Sequence, residues 1–161
     1  MNSKEYNQSV DLYSDNVYRF ILKNIRDEER ARDIVQDSYE KLWRNIENVN
    51  SENVKPYLFT TAYHTMIDVM RKEKRHTSIE NCPLQKQAHD QQYSDLSEIL
   101  NEAVKRLPEI QRTVILLRDY EGYSYKEIGD VTLLSEAQVK VYIYRARVFL
   151  KNYIGKMELV V

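Results

Sequence analysis

Cysteine is nearly missing from this 161-residue chain: Cys82 stands alone, which excludes an internal disulfide and a Cys-rich zinc site built within it. The three histidines, His64, His76 and His89, share no metal-ligand spacing, and nothing supports a catalytic role for any of them. Three glycines and three prolines leave few breaks, and no region alternates β-branched residues long enough to argue for a sheet. The chain reads as all helix. No apolar run approaches the roughly 18 residues needed to span a membrane. The first ten residues, MNSKEYNQSV, lack the apolar core of a signal peptide. A cytoplasmic protein without membrane insertion is expected. A glycine-rich phosphate cradle with Lys and Ser or Thr is also missing, so neither a cofactor nor enzymatic chemistry is expected.

What is present is 42% hydrophobic and 30% charged, the makeup of a globular protein of one domain or two small ones. The net charge of −1 conceals an uneven distribution. Residues 1–50 hold eight basic and ten acidic groups, 51–78 five and three, 79–110 three and six, and 111–161 eight and six. Two basic patches therefore sit on an acidic or neutral frame, and it is the patch that sets attraction to phosphate.

The densest signals lie at 124–153, SYKEIGDVTLLSEAQVKVYIYRARVFLKNY. Ser124 with Glu127, and Ser135 with Gln138, are capping boxes eleven residues apart. They leave room for a short helix at 125–131, a turn at 132–134 and a second helix, which is helix-turn-helix spacing. In the second helix Val139, Ile143, Ala146 and Leu150 share a buried face. Ala137, Gln138, Val141, Tyr144, Arg145 and Val148 fall toward the other side. From 138 to 157 there are five Lys or Arg and no acid. Such a helix suits a DNA major groove, where cations meet phosphates and apolar groups touch thymine methyls. A basic surface helix capping a bundle would carry the same charges.

Toward the N-terminus, Tyr6, Val10, Tyr13, Val17 and Phe20 mark an amphipathic helix ending near Asn24. Asp27 can cap the next, at 28–45, with Glu28 and Glu29 in its positive first turn. It buries Ala31, Ile34, Val35, Leu42 and Ile46, while Asp33, Gln36, Asp37 and Glu40 line up on its other face. The single tryptophan, Trp43, stands beside them as an aromatic anchor of the kind found in protein interfaces. Pro56 belongs in the first turn of a third helix that runs to about 75, with Leu58, Ala62, Thr65 and Val69 as its inner stripe. Tyr57, Phe59, Thr60, Tyr63 and His64 precede the basic run RKEKRH at 71–76. Rings beside cations suit unpaired nucleic acid, although cations also settle at a helix C-terminus on electrostatic grounds alone.

Residues 77–94 have no apolar period and read as a linker. Beyond it, Ser94 or Asp95 caps a helix burying Leu96, Ile99, Leu100, Val104 and Leu107. Pro108 opens another, apolar at Ile110, Val114, Ile115 and Leu117 and stopped at Gly122. The expected architecture is all-α: two small helical domains, 1–76 and 95–161, joined by a flexible linker at 77–94. The second is a four-helix unit ending in the helix-turn-helix.

DIVQDSYEKLW at 33–43, PYLFTTAYHTMIDVMR at 56–71, RLPEIQRTVILL at 106–117 and YSYKEIGDVTLLSEAQVKVYIYRAR at 123–147 together resemble the sigma-70 family of bacterial RNA polymerase initiation factors. The likeness is to its small extracytoplasmic-function (ECF) group, which keeps only conserved regions 2 and 4. The resemblance implies that Asp33, Gln36, Asp37, Leu42 and Trp43 dock on the clamp helices of the polymerase beta-prime subunit, with the beta flap as a further partner. It implies that Asn50, Ser51, Tyr57, His64, Asp68, Arg71, Lys72 and Arg75 handle the minus-ten promoter element and its unpaired bases. Ser124, Tyr125, Gln138, Lys140, Val141, Tyr144 and Arg145 would read the minus-thirty-five element.

Several positions depart from the family pattern: Tyr57 stands where Trp is usual, His64 for Asn, and Tyr63 for a common Arg. Val141 and Tyr142 stand for a frequent Ser and Arg, and Leu133 for the turn glycine. The family often has an anti-sigma partner that clamps both domains. Three other readings remain: a stand-alone helix-turn-helix regulator with a sensing or dimerising N-terminal half, a helical adaptor that binds only protein, and, last, a metal-dependent helical enzyme, against which stands the lack of any carboxylate and histidine set with ligand spacing.

Overall fold

A computed structural model describes residues 1–76 and 95–160, so the linker expected at 77–94 lies outside the described residues. Seven α-helices and no strand are found among the described residues. Helix α1 (Ser3–Ile25) opens on an Asn2 capping box with Glu5 and closes at Arg26, whose left-handed backbone (φ 56°) lets its N–H reach Leu22 O. That reversal allows Asp27 to cap α2 (Glu28–Arg44) through Arg30 N, as the sequence predicts. After a 3-10 turn at Ser51–Asn53, α3 (Val54–His76) holds Pro56 in its first turn. These three helices pack around Val17, Phe20, Ile21, Ala31, Ile34, Leu42, Leu58 and Met66, all buried.

In the second unit α4 (Asp95–Lys105) and α5 (Glu109–Ile115) precede α6 (Tyr125–Thr132) and α7 (Glu136–Val160). Leu96, expected inside α4, is exposed; the buried face there is Ala103, Val104 and Leu107. The helix expected to run unbroken to Gly122 instead ends in a π turn, Leu116–Tyr120, closed by Glu121 N on Leu116 O at 3.3 Å. Gly122, at φ 73°, then redirects the chain into α6.

The two units are not separate cores. Phe59 of α3 meets Phe20 at 5.5 Å and Tyr123 of the second unit at 5.5 Å, so one apolar cluster runs through both. Around this seam Lys23 Nζ lies 3.8 Å from the Tyr120 ring centroid, and Lys55 Nζ stands 4.0 Å from Glu121. Burial pushes the Lys23 pKa down and that of Glu121 up, each toward its neutral form. Arg112 is buried as well, 6% exposed, and its Nε donates to Asn24 Oδ1 of α1 at 3.2 Å. Its Nη1 donates to the carbonyls of Lys105 (3.4 Å) and Leu107 (3.2 Å) at and just beyond the end of α4. One side chain thus ties α1 to the second unit and satisfies carbonyls that a helix end leaves without partners.

Candidate nucleic-acid and polymerase interfaces

The helix-turn-helix is built by its caps. Ser124 Oγ accepts from Glu127 N while the Glu127 carboxylate accepts from Ser124 N, and Ser135 with Gln138 repeats the exchange at 3.1 and 3.0 Å. Between them Leu133 takes the left-handed conformation, φ 63° and ψ 33°, and its N–H bonds Gly129 O. Leucine therefore adopts the geometry that glycine adopts without strain, and for an L-residue this costs roughly 1–2 kcal/mol. Its side chain is 77% exposed, so little packing offsets the strain. Leu133→Gly is expected to stabilise the chain by about 0.5–1 kcal/mol, after glycine's greater freedom in the unfolded chain is subtracted. A urea titration of both proteins measures it, and an unchanged or lowered midpoint refutes the strain.

On α7, Val139, Ile143 and Ala146 are buried as expected, while Val141, Tyr144 and Val148 are exposed, Tyr144 by 70%. Arg145 projects from the same outward face, its guanidinium 6.0 Å from the Tyr142 ring. Lys140 Nζ stands 5.6 Å from the Tyr125 ring and Arg118 4.6 Å from the same ring, gathering positive charge where α6 begins. Arg147 is paired with Asp119 at 2.7 Å. Ser124 and Gln138, expected among the upstream contacts, have their side-chain oxygens engaged in the caps. They position the helices and are themselves exposed, alongside Lys140, Val141, Tyr144 and Arg145 on the outward surface.

The expected minus-ten residues do not share one environment. Asn50 and Ser51 are exposed at the 3-10 turn, and Asp68, Arg71, Lys72 and Arg75 are exposed along the second half of α3. Tyr57 is half-buried: its hydroxyl accepts from Asn45 Nδ2 at 3.0 Å and donates to Lys41 O at 3.4 Å. His64 Nε2 lies 3.1 Å from Val131 O on α6, a carbonyl in the last turn of that helix. For that bond Nε2 must carry the proton. Phe59 and Tyr63, grouped with the stacking aromatics in the sequence, are core residues at 0% and 7% exposure. They face inward because α3 is covered on two sides, by α1 and α2 and by α6, so its buried arc is wider than one stripe.

On α2, Asp33, Gln36 and Glu40 are arrayed along the outer side and Asp37 lies beside Lys41, whose Nζ is 3.3 Å from the Asp37 carboxylate. Trp43 is 51% exposed. Leu42 is corrected as a docking contact: at 0% exposure it belongs to the core, because it falls on the stripe of Ala31, Ile34 and Ser38 rather than on the acidic row. The sequence reading missed Asn24, Arg112, Glu121 and Tyr123, since nothing local marks a residue whose partner is more than 80 positions away, as with Arg112 and Asn24. The one local signal was an arginine inside the apolar run IQRTVILL.

Described residues that form only helices, the last of them a capped helix-turn-helix with a cationic, partly apolar outer face, define a DNA-binding transcription protein. Residues 10–76 match the family model for sigma-70 region 2, and residues 97–150 match that for sigma-70 region 4. The ECF RNA polymerase sigma factor SigM of Bacillus subtilis (strain 168) is 30% identical over 148 residues, covering 87% of this chain and 89% of the relative. SigV of the same organism is 29% identical over 145 residues, with 88% and 86% covered. Among solved structures, the sigma factor RpoE of Bartonella quintana, crystallised with the anti-sigma factor NepR, superposes with a TM-score of 0.83 at 25% identity, covering 94% of this chain and 98% of that one. The chain belongs to the ECF sigma factors of the sigma-70 family.

Proposed function

We propose that this sigma factor holds core RNA polymerase with the outer face of α2 and grips promoter DNA at two places. Residues 1–76 act as region 2, 77–94 as the linker and 95–161 as region 4. The observation that carries the reading is the outward face of α7: Val141, Tyr144 and Arg145 stand exposed beside Lys140 on a helix whose start is pinned by a capping box. These groups would enter the major groove of the minus-thirty-five element. Asn50, Ser51, Tyr57, His64, Asp68, Arg71, Lys72 and Arg75 would meet the minus-ten element, cations on its backbone and rings on its unpaired bases. His64 can do so only after its bond to Val131 O is broken, so promoter binding requires the two units to part at that point.

Opening draws its energy from trapping unstacked bases and from polymerase contacts, with no catalytic step by the chain itself. Polymerase holds both grips at a fixed spacing, which raises the effective concentration of the second once the first is engaged. The setting is the cytoplasm, where polymerase works. The B. quintana relative is seen with an anti-sigma factor, and a partner of that kind for this chain would act by holding His64 under α6.

Reconstituted transcription with core polymerase on a promoter library tests the reading. Initiation from specific promoters is expected only with this chain present, and its absence overturns the reading. Lys140→Ala and Arg145→Ala should each weaken upstream binding and reduce the slope of log affinity against log salt by about 0.9, the change expected when one phosphate is no longer neutralised. Full activity in the double variant would favour a protein-only adaptor. Tight, specific duplex binding by the chain without polymerase would favour a stand-alone regulator.

A further inference from the structure

Trp43 sits at the penultimate position of α2, half in solvent, where a large ring with little around it would sample several rotamers. It is not left to do so. The Tyr6 ring of α1 stands edge-on to it, centroids 5.0 Å apart and planes at 73°. Tyr6 in turn meets the Tyr39 ring at 5.9 Å and 85°, and its hydroxyl donates to Tyr39 O at 3.3 Å, the carbonyl one helical turn before Trp43. Tyr39 is buried and anchored from the other side, its hydroxyl donating to Ser9 O at 2.8 Å. Three rings therefore form a ladder from the core to the surface, and Tyr6 is the rung against which Trp43 rests.

We infer that Tyr6 is a positioning residue for polymerase docking: it holds the Trp43 ring in the orientation that the polymerase surface receives. This rests on the reading of Trp43 as a polymerase contact. The physical basis is preorganisation. A side chain already confined loses less rotamer freedom on binding, and edge-to-face aromatic contact supplies the confinement. The ladder also accounts for an aromatic residue at position 6, which the first helix could replace with any apolar residue if only packing against α2 were required.

Because Trp43 is the single tryptophan, its emission reports on this ring alone. The test uses the full chain and core polymerase, with Tyr6→Leu, Tyr6→Phe, Trp43→Ala and the double Tyr6→Leu/Trp43→Ala. Tyr6→Leu keeps an apolar side chain in place of the ring; Tyr6→Met serves if it fails to fold. Loss of Tyr6 is expected to lower the steady-state anisotropy of Trp43 and to raise the Kd for core polymerase about two- to tenfold. Tyr6→Phe, which keeps the ring, should retain most of both. With Trp43 already absent, Tyr6→Leu should change the Kd no further.

If Trp43→Ala weakens binding while Tyr6→Leu does not, the positioning role is overturned and the polymerase contact stands. Should Trp43→Ala bind as tightly as the parent, both fall together. An equal loss from Tyr6→Leu with and without Trp43 also overturns the proposal, since Tyr6 would then act on its own.

Discussion

Arg112→Ala loses about 3 kcal/mol of stability in urea unfolding, and most of that loss comes from the oxygens left behind. Arg112 is 6% exposed, and its guanidinium donates to Asn24 Oδ1 and to the carbonyls of Lys105 and Leu107. Asn24 Oδ1 keeps Thr113 Oγ1 at 3.3 Å, but the two carbonyls lose the donor that this side chain supplies. A buried acceptor without a partner costs roughly 1–3 kcal/mol, and truncation also removes the packing of the aliphatic stem. Burial pulls the Arg112 pKa down from its ordinary value, with Arg26 opposing the charge and Glu109 favouring it. Starting from such a high value the group stays charged at neutral pH. The cost of holding that charge inside is already part of the native state, so deletion does not simply return the energy of three bonds.

Two further variants separate the contributions. Arg112→Met keeps the stem and removes the donors; Arg112→Lys keeps the charge but offers a compact ammonium where two diverging N–H directions are used. Both should remain at least about 1 kcal/mol below the parent. A loss under about 1 kcal/mol for Arg112→Ala would mean that the seam between the units contributes little. Because Arg112 ties the second unit to α1, which packs on α3, the same variant should also loosen the bond of His64 on α3 to Val131 O, measurable as faster hydrogen exchange in α6.

Gly129→Ala is the second large effect. A Cβ at this position would lie 2.6 Å from Leu134 O, which is backbone rather than a movable side-chain end. Leu134 is held by its own N–H on Gly129 O at 3.1 Å, and Leu133 N–H shares that acceptor, so the turn cannot back away without losing both bonds. Alanine brings a helix-propensity gain of about 1 kcal/mol over glycine, against overpacking of about 1–3 kcal/mol or more. A net loss near 2 kcal/mol is expected, lowering Tm by roughly 5 °C for a chain of this size. The functional loss should exceed the stability loss. The turn sets the angle at which α7 leaves α6, and a base-reading helix tolerates little error in that angle. Gly155→Ala is the control: nothing lies within 4 Å of its Cβ, and the same substitution there should be neutral or stabilising. Equal melting temperatures and equal duplex protection for the two variants would refute the close approach.

What could be read from the residues in order was what depends on neighbours in order. Capping boxes at Ser124 and Ser135 and the Asp27 cap act over three residues. The stripe of Val139, Ile143 and Ala146 acts over seven. Each is complete within one or two turns, so helix starts, the helix-turn-helix and the family resemblance were legible without coordinates. Trp43 was legible as an exposed ring for the same reason, because the stripe leaves it no place inside.

Local pattern in the sequence marked most of the helical segments, although α3 begins at Val54 and the segment expected to be helical to Gly122 ends in a π turn. Tertiary structure decided which of their faces are free. Phe59 and Tyr63 looked like stacking rings until a second layer of helix was seen over α3, whereas Leu42, which the helical stripe put inside and the family resemblance put at the docking face, is core as the stripe implied. Leu133 required the actual backbone, since its φ of 63° is set by the bonds that Gly129 O accepts and not by any preference of leucine. Arg112 and Asn24, 88 positions apart, became one feature only when α1 met α5. Helix formation is local and reports itself in local pattern. Burial depends on what arrives from far along the chain, and no window of residues contains that information.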